Sequence, residues 1–263
     1  MIHAIWKYRF FILENIVYDF KKNYVQSKIG ALWAVFHPLA IVAIYSFVLS
    51  SIMHARISDT QVDDKYAYII YLLAGVSSWW FFNDLLNKLL NIFIVNSSLI
   101  KKITFPKICL PVITLGESLI NHLILLICIL AINILLGNYF TFSIIYLPIL
   151  ILQNSLFGAG LGLILGIINV FIRDVAQIAS VVLQMLYWLT PIVYTLDIIP
   201  PYYQPYLKLN PMYYIVRGYQ SILVYGNPPD LDELIIISLI NLVFLFIAYH
   251  LFKKSSNEII DAL

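Results

Sequence analysis

The segment KNYVQSKIGALWAVFHP, residues 22–38, joins a charged aromatic stretch to one that carries no formal charge from Ala31 to Met53. A hydrocarbon layer of about 30 Å takes roughly 20 helical residues to cross, so Ala31–Met53 is long enough to span a membrane. Pro38 falls in its first turns, where a missing backbone donor costs least. Upstream, on a helix of 100° per residue, Glu14, Asn15, Asp19, Lys21 and Lys22 fall within roughly 160°. Ile5, Trp6, Phe10, Ile12, Leu13, Ile16, Val17 and Phe20 fill the opposite side. Residues 3–24 therefore read as an amphipathic helix lying at a membrane surface, interrupted in pattern by Arg9, Phe11 and Tyr18. The stretch lacks the long apolar core and small-residue cleavage site of a signal peptide, so it is expected to be retained.

The rest of the chain repeats the apolar theme. With 62% hydrophobic and 11% charged residues, its 263 residues cannot cover a water-facing globule. The expected fold is an all-α integral membrane protein with a single transmembrane domain over 1–263. Its six spans fall at about 31–53, 66–95, 108–136, 140–172, 175–196 and 234–252. Span two holds Asp84 and Lys88, four residues apart on one helical face and expected to neutralise each other; span three holds Glu117. The fourth uncharged run is longer than a perpendicular helix needs, so it is tilted, broken near Pro148 or extended along an interface. Residues 197–229 contain a short apolar stretch around Arg217 flanked by prolines, which reads as an external reentrant or gate hairpin.

If the N-terminus is cytoplasmic, the inner segments hold eleven Lys and Arg residues and the outer segments four (Arg56, Lys65, Lys208, Arg217). The positive-inside rule then puts both termini in the cytoplasm. The five histidines lie on different elements, no HExxH or GxSxG motif is present, and no glycine is followed by lysine. Catalysis and a Walker A site are thus unsupported, as is nucleic-acid binding. No metal site is expected, and Cys109 and Cys128 read as small apolar residues. Gly158, Gly160, Gly162 and Gly166 have the spacing of a close helix contact. The few intramembrane charges argue against ion coupling. The 19 tyrosines, 16 phenylalanines and five tryptophans suit interfacial belts, and rings within the spans, Trp33, Phe36, Trp79, Trp80, Tyr187, Trp188 and Tyr194 among them, also suit a sugar tunnel.

Four segments, in this order, resemble one family: KNYVQSKIGALWAVFHPL, SLIKKITFPKICLPV, Arg173-Asp174 after GIINVFI, and TPIVYTLDIIPPYY followed by LNPMYYIVRGYQ. Together they are similar to the ABC-2 type permeases that export bacterial polysaccharides, most nearly O-antigen, with capsule and teichoic acid permeases as relatives. The resemblance implies a homodimer in the inner membrane, bound to two copies of an ATPase that carries the ATP and magnesium, with no cofactor in this chain. It implies a lipid-linked polysaccharide as substrate. Lys101, Lys102, Phe105 and Pro106, with Arg173 and Asp174, would meet the ATPase. Tyr24, Trp33 and Phe36 would sit where the substrate comes in, Tyr187, Trp188 and Tyr194 along the channel, and Pro191, Pro200, Pro201, Pro211 and Tyr213 at an external gate. Two other readings remain: an exporter of another substrate, such as a lipid or drug, and a membrane enzyme of lipid-linked glycan assembly.

Overall fold

The computed structural model describes residues 2–25, 32–47, 64–102, 105–135, 141–255 and 258–262. Among them there is no strand. The helices in chain order are α1 (Ile2–Lys7), α2 (Arg9–Val25), α3 (Trp33–Ser46), α4 (Asp64–Val95), α5 (Ser97–Lys102), α6 (Cys109–Leu135), α7 (Leu147–Phe171), α8 (Asp174–Leu189), α9 (Gln204–Leu207), α10 (Pro211–Leu223), α11 (Leu231–Ser255) and α12 (Glu258–Ala262). Four segments are long and apolar enough to cross a membrane: Ala67–Val95, Cys109–Leu135, Phe142–Phe171 and Leu231–Ser255.

The bundle is built inside-out. In α4, 78% of the most apolar stretch is buried, against 17% in α11, the most apolar of the four. Ile235, Leu239, Leu242, Val243 and Phe246 form an exposed stripe along α11, which in water would be unstable and against lipid costs nothing. The central α4 packs against α7, α6, α10 and α3, and α7 also against α11.

Glycines set the distance between α4 and α7. A Cβ on Gly158 would meet Leu85 at 3.0 Å, one on Gly162 would meet the Leu89 Cβ at 2.9 Å, and one on Gly166 would strike the Leu89 carbonyl oxygen. Gly160 faces the other way, 3.1 Å from Phe244 of α11. Carboxamides then fasten the layers: the Asn154 side chain donates to the Ser78 carbonyl (2.8 Å), Asn169 to that of Leu90 (2.9 Å), and Asn241 to that of Gln153 (3.0 Å). These bonds replace water where none is available. Gly166→Ala presses on backbone that cannot turn aside, so it should cost about 1–3 kcal/mol and lower the melting temperature of the detergent-purified protein.

Several expectations meet the structure differently. The amphipathic segment is two helices, broken at Tyr8, where the Arg9 guanidinium donates to the Trp6 carbonyl (3.1 Å) that the helix ladder would use. The long fourth run begins as a 3-10 helix at Phe142–Tyr146 and becomes α-helical at Leu147, next to Pro148. At the expected fifth span, α8 stops at Leu189, because the chain turns at Thr190-Pro191. Its 16 residues reach about 24 Å at 1.5 Å each, short of a full crossing. The only part of the expected first span that falls within the described residues is 32–47.

Candidate functional site

From Ile70 to Ile94 α4 is buried all round except along one stripe: Trp80, Asn83, Asp84, Asn87, Lys88, Asn91 and Ile94 are half-buried, and the terminal Val95 is exposed. The intervals of three and four residues place them on a single face. On α11 the exposed face is apolar, as lipid requires; on α4 the accessible face is polar, so it meets water. Its side-chain amides turn back on their own helix, Asn87 to the Asn83 carbonyl (2.8 Å) and Asn91 to that of Asn87 (3.0 Å), which makes a carboxamide surface compatible with a membrane helix.

Beside this stripe α8 carries its own polar residues, Gln177, Ser180 and Gln184, leading to Tyr187 and Trp188. The two helices border an open groove of about 550 Å³, lined by Trp79, Trp80, Asn83, Asn87, Ser180, Leu183, Gln184, Tyr187 and Trp188. Trp79 is buried and sets the floor, its ring 5.6 Å from that of Tyr187 at 65°. Tyr187 in turn meets Trp188 edge-on at 5.6 Å, leaving the Trp188 ring 56% exposed at the rim. Flat rings take the C–H faces of a sugar, while amides and hydroxyls exchange hydrogen bonds with its OH groups. The lining holds no charged side chain. Such a surface offers many weak, similar contacts, which suits a moving polymer better than a fixed ligand.

Next to the groove on the α4 stripe lies an ion cluster. Lys88 Nζ is 2.9 Å from Asp84 Oδ2 and 3.0 Å from Glu117 Oε1, and Ser118 Oγ donates to Asp84 Oδ2 at 2.6 Å. The expected Asp84–Lys88 pair is present, and Glu117 of α6 completes it. Asp19 of α2 lies within electrostatic reach of Lys88; burial lifts its carboxyl above the usual range, against the pull of Lys22 and Lys88.

Contacts between α4 and α7 run in parallel, Ser78 with Asn154 and Leu90 with Asn169, so Val95 and Phe171 end on the same side. That end gathers the loop 105–108, Arg173-Asp174 and the C-terminal end of α11, whose Phe252 meets Phe93. Lys101, Arg173 and Asp174 are exposed there; the Lys102 side chain lies outside the described residues. Phe105 is half-buried, its ring 5.9 Å from Phe11 of α2, in a cluster with Ile12, Cys109 and Ile113; Pro106 is also half-buried. Across α2 and α6, Ile16 covers Gly116 so closely that a Cβ there would collide with it. Helix α2 thus spends part of its apolar face on the protein.

The remaining sequence-predicted residues scatter. Trp33 and Phe36 are about half exposed on α3, away from the groove lining, and the Tyr24 side chain lies outside the described residues. Tyr194 donates its hydroxyl to the Trp188 carbonyl (2.9 Å), beyond the groove's end. Pro191 is buried, Pro200 and Pro201 are exposed, and Pro211 opens α10 behind the Asn210 cap. Tyr213 is almost wholly buried, and α10 is a packed core helix over most of its surface. Trp79, Trp80, Asn83, Asn87, Ser180 and Gln184 were not chosen from the sequence as site residues. The signal was present, as polar residues three and four apart within apolar runs.

Comparison with known proteins gives a consistent picture. The profile of the family described as "ABC-2 type transporter" matches residues 12–224. The chain is 27% identical over 210 residues to an "O-antigen export system permease protein RfbA" of Klebsiella pneumoniae, covering 79% of this chain and 78% of the relative. It is 23% identical over 265 residues to a protein of the same description in Myxococcus xanthus, covering 100% and 99%. It is 23% identical over 247 residues to the "Polysialic acid transport protein KpsM" of Escherichia coli, covering 93% of each.

Proposed function

This chain belongs to the ABC-2 type transporter family, and on that premise we propose that it is the membrane subunit of an ATP-driven exporter of lipid-linked polysaccharide, of the O-antigen kind. The observation that carries the reading is the α4 stripe and the aromatic and carboxamide groove beside it, a wettable surface on a helix otherwise buried among apolar neighbours. Relatives described as O-antigen export permeases, matched over most of the chain, support the substrate class.

In this reading the chain crosses the bacterial inner membrane six times, the first span containing α3 and the fifth being α8, a short crossing that a locally thinned bilayer accommodates. Both termini face the cytoplasm, and the segment from α9 through α10 is the external hairpin. A second copy supplies the opposite wall of the groove. Two ATPase subunits holding ATP and magnesium bind the end that gathers Lys101, Lys102, Phe105, Pro106, Arg173 and Asp174. Trp33 and Phe36, with Tyr24, lie on the side where the lipid-linked chain comes in, and Pro191, Pro200, Pro201, Pro211 and Tyr213 shape the exit.

Deleting the gene in its host should leave polysaccharide inside the cell, seen as a loss of surface-extractable glycan with internal accumulation, and the intact gene should restore export. A loss of glycan synthesis itself would instead favour the membrane-enzyme reading. Phe105→Ala also bears on the proposal. Because its ring joins the loop to α2, the variant should insert normally yet show a several-fold smaller stimulation of the partner's ATP hydrolysis, measured in reconstituted vesicles. Unchanged stimulation would remove Phe105 from the coupling path.

A further inference from the structure

We infer that a second cavity, at the far end of the bundle from the basic loop, is a binding site for one neutral sugar residue. The inference rests on the export reading for its place in the molecule, but the site is defined by its own residues. It has a volume of about 280 Å³ and is lined by Tyr71, Pro191, Thr195, Leu196, Asp197, Arg217, Gln220, Ser221, Tyr225 and Asn227, sharing no residue with the groove. That is just under the ~300–1,000 Å³ of sites for drug-sized ligands, room for a single sugar ring rather than a chain.

Its walls are fixed before anything binds. Gln220, buried, donates to the Pro191 carbonyl (3.0 Å), and the Tyr71 hydroxyl lies 3.0 Å from that carbonyl and 2.9 Å from the Tyr194 carbonyl. Ser221 Oγ donates to the Asn227 carbonyl at 3.2 Å. Ordering already present in the free protein is not charged to the ligand. Two tyrosines beside a carboxylate, a guanidinium, a carboxamide of each kind and two hydroxyls are the side chains that recognise a polyhydroxylated ring.

Charge selects the class. Arg217 is committed to the wall, its guanidinium donating to Glu233 Oε1 (2.8 Å) and to the Tyr213 hydroxyl (2.9 Å), with Asp230 at 3.8 Å. Asp197 lines the cavity with no ion pair among the described residues. Among the described residues Lys208 is a second cation near this group, in electrostatic reach of Glu233. Among the described residues two cations stand against Asp197, Asp230 and Glu233, a negative balance that repels a uronic or sialic acid where a neutral sugar is not repelled.

One stretch of chain joins the cavity to the groove. The Thr190–Asp197 segment continues from Trp188 at the groove's rim, to which the Tyr194 hydroxyl is bonded, into Pro191, Thr195 and Asp197 of the cavity wall.

The test is ligand-observed saturation-transfer NMR on the purified full-length protein in lipid nanodiscs, without the ATPase. The probes are methyl α-mannoside, methyl β-galactoside and methyl β-glucoside against glucuronic acid and N-acetylneuraminic acid. At least one neutral glycoside should give a signal that Asp197→Ala weakens about tenfold, the value of one lost charge-assisted hydrogen bond. Thr195→Trp, which fills the cavity, should abolish it, while Trp188→Ala at the groove should leave the Asp197-dependent signal intact. No signal from any neutral glycoside, or equal binding of the acids, overturns the inference even if the protein exports. A cavity that binds sugar in a protein whose gene deletion leaves surface glycan unchanged overturns the export reading instead.

Discussion

Lys88→Met is expected to destabilise the protein by about 1–3 kcal/mol, because it removes the ammonium from the buried Glu117 carboxylate, while the more exposed Asp84 keeps its bond from Ser118. Glu117 has a side chain only 8% exposed, and Lys88 is its ion-pair partner at 3.0 Å, while Asp84 shares the same ammonium at 2.9 Å. The variant should accumulate poorly in membranes and, once solubilised, aggregate at a lower temperature. The triple variant with Asp84→Asn and Glu117→Gln removes all three charges of the cluster and should recover most of the stability. If Lys88→Met alone were as stable as the parent, the cluster would be hydrated well enough to need no partner, and the network would not hold α4 to α6.

The second large effect is on transport. Trp80 and Trp188 stand on opposite helices of the groove, half-buried and exposed respectively, so truncating them leaves no core cavity. If each ring contributes about 0.5–1.5 kcal/mol of stacking, the double variant Trp80→Ala/Trp188→Ala should export at roughly a tenth of the parental rate or less. Membrane insertion should be unchanged. Replacing both with tyrosine, which keeps a flat face, should retain most export, whereas replacing both with leucine should not. Equal export from the tyrosine and leucine variants would show that the groove needs bulk rather than rings.

Much of this was legible in the chain itself. Apolar run length located the four long helices to within a few residues, because lipid thickness and helix rise leave little freedom. Small-residue spacing in α7 announced a close contact, and Gly158, Gly162 and Gly166 do lie against α4. The site was harder. Tyr187 and Trp188 were chosen as aromatics near a channel, while Trp79 and Trp80 were left between belt and tunnel, since an indole within a span reads alike in either place. Asn83, Asn87 and Asn91 went unremarked beside the more conspicuous Asp84 and Lys88, although they share one face with them.

Sequence alone determined that the chain is a membrane helix bundle with a basic end, for hydropathy and charge are local properties that each residue carries wherever it is placed. Only the tertiary structure decided which of its faces meets water. A polar stripe in an apolar helix can pair internally, as Asn154 and Asn169 do with the α4 backbone, or remain accessible, as Asn83 and Asn87 do beside α8. The two outcomes differ in the neighbour that covers the stripe, and that neighbour lies about a hundred residues away in the chain.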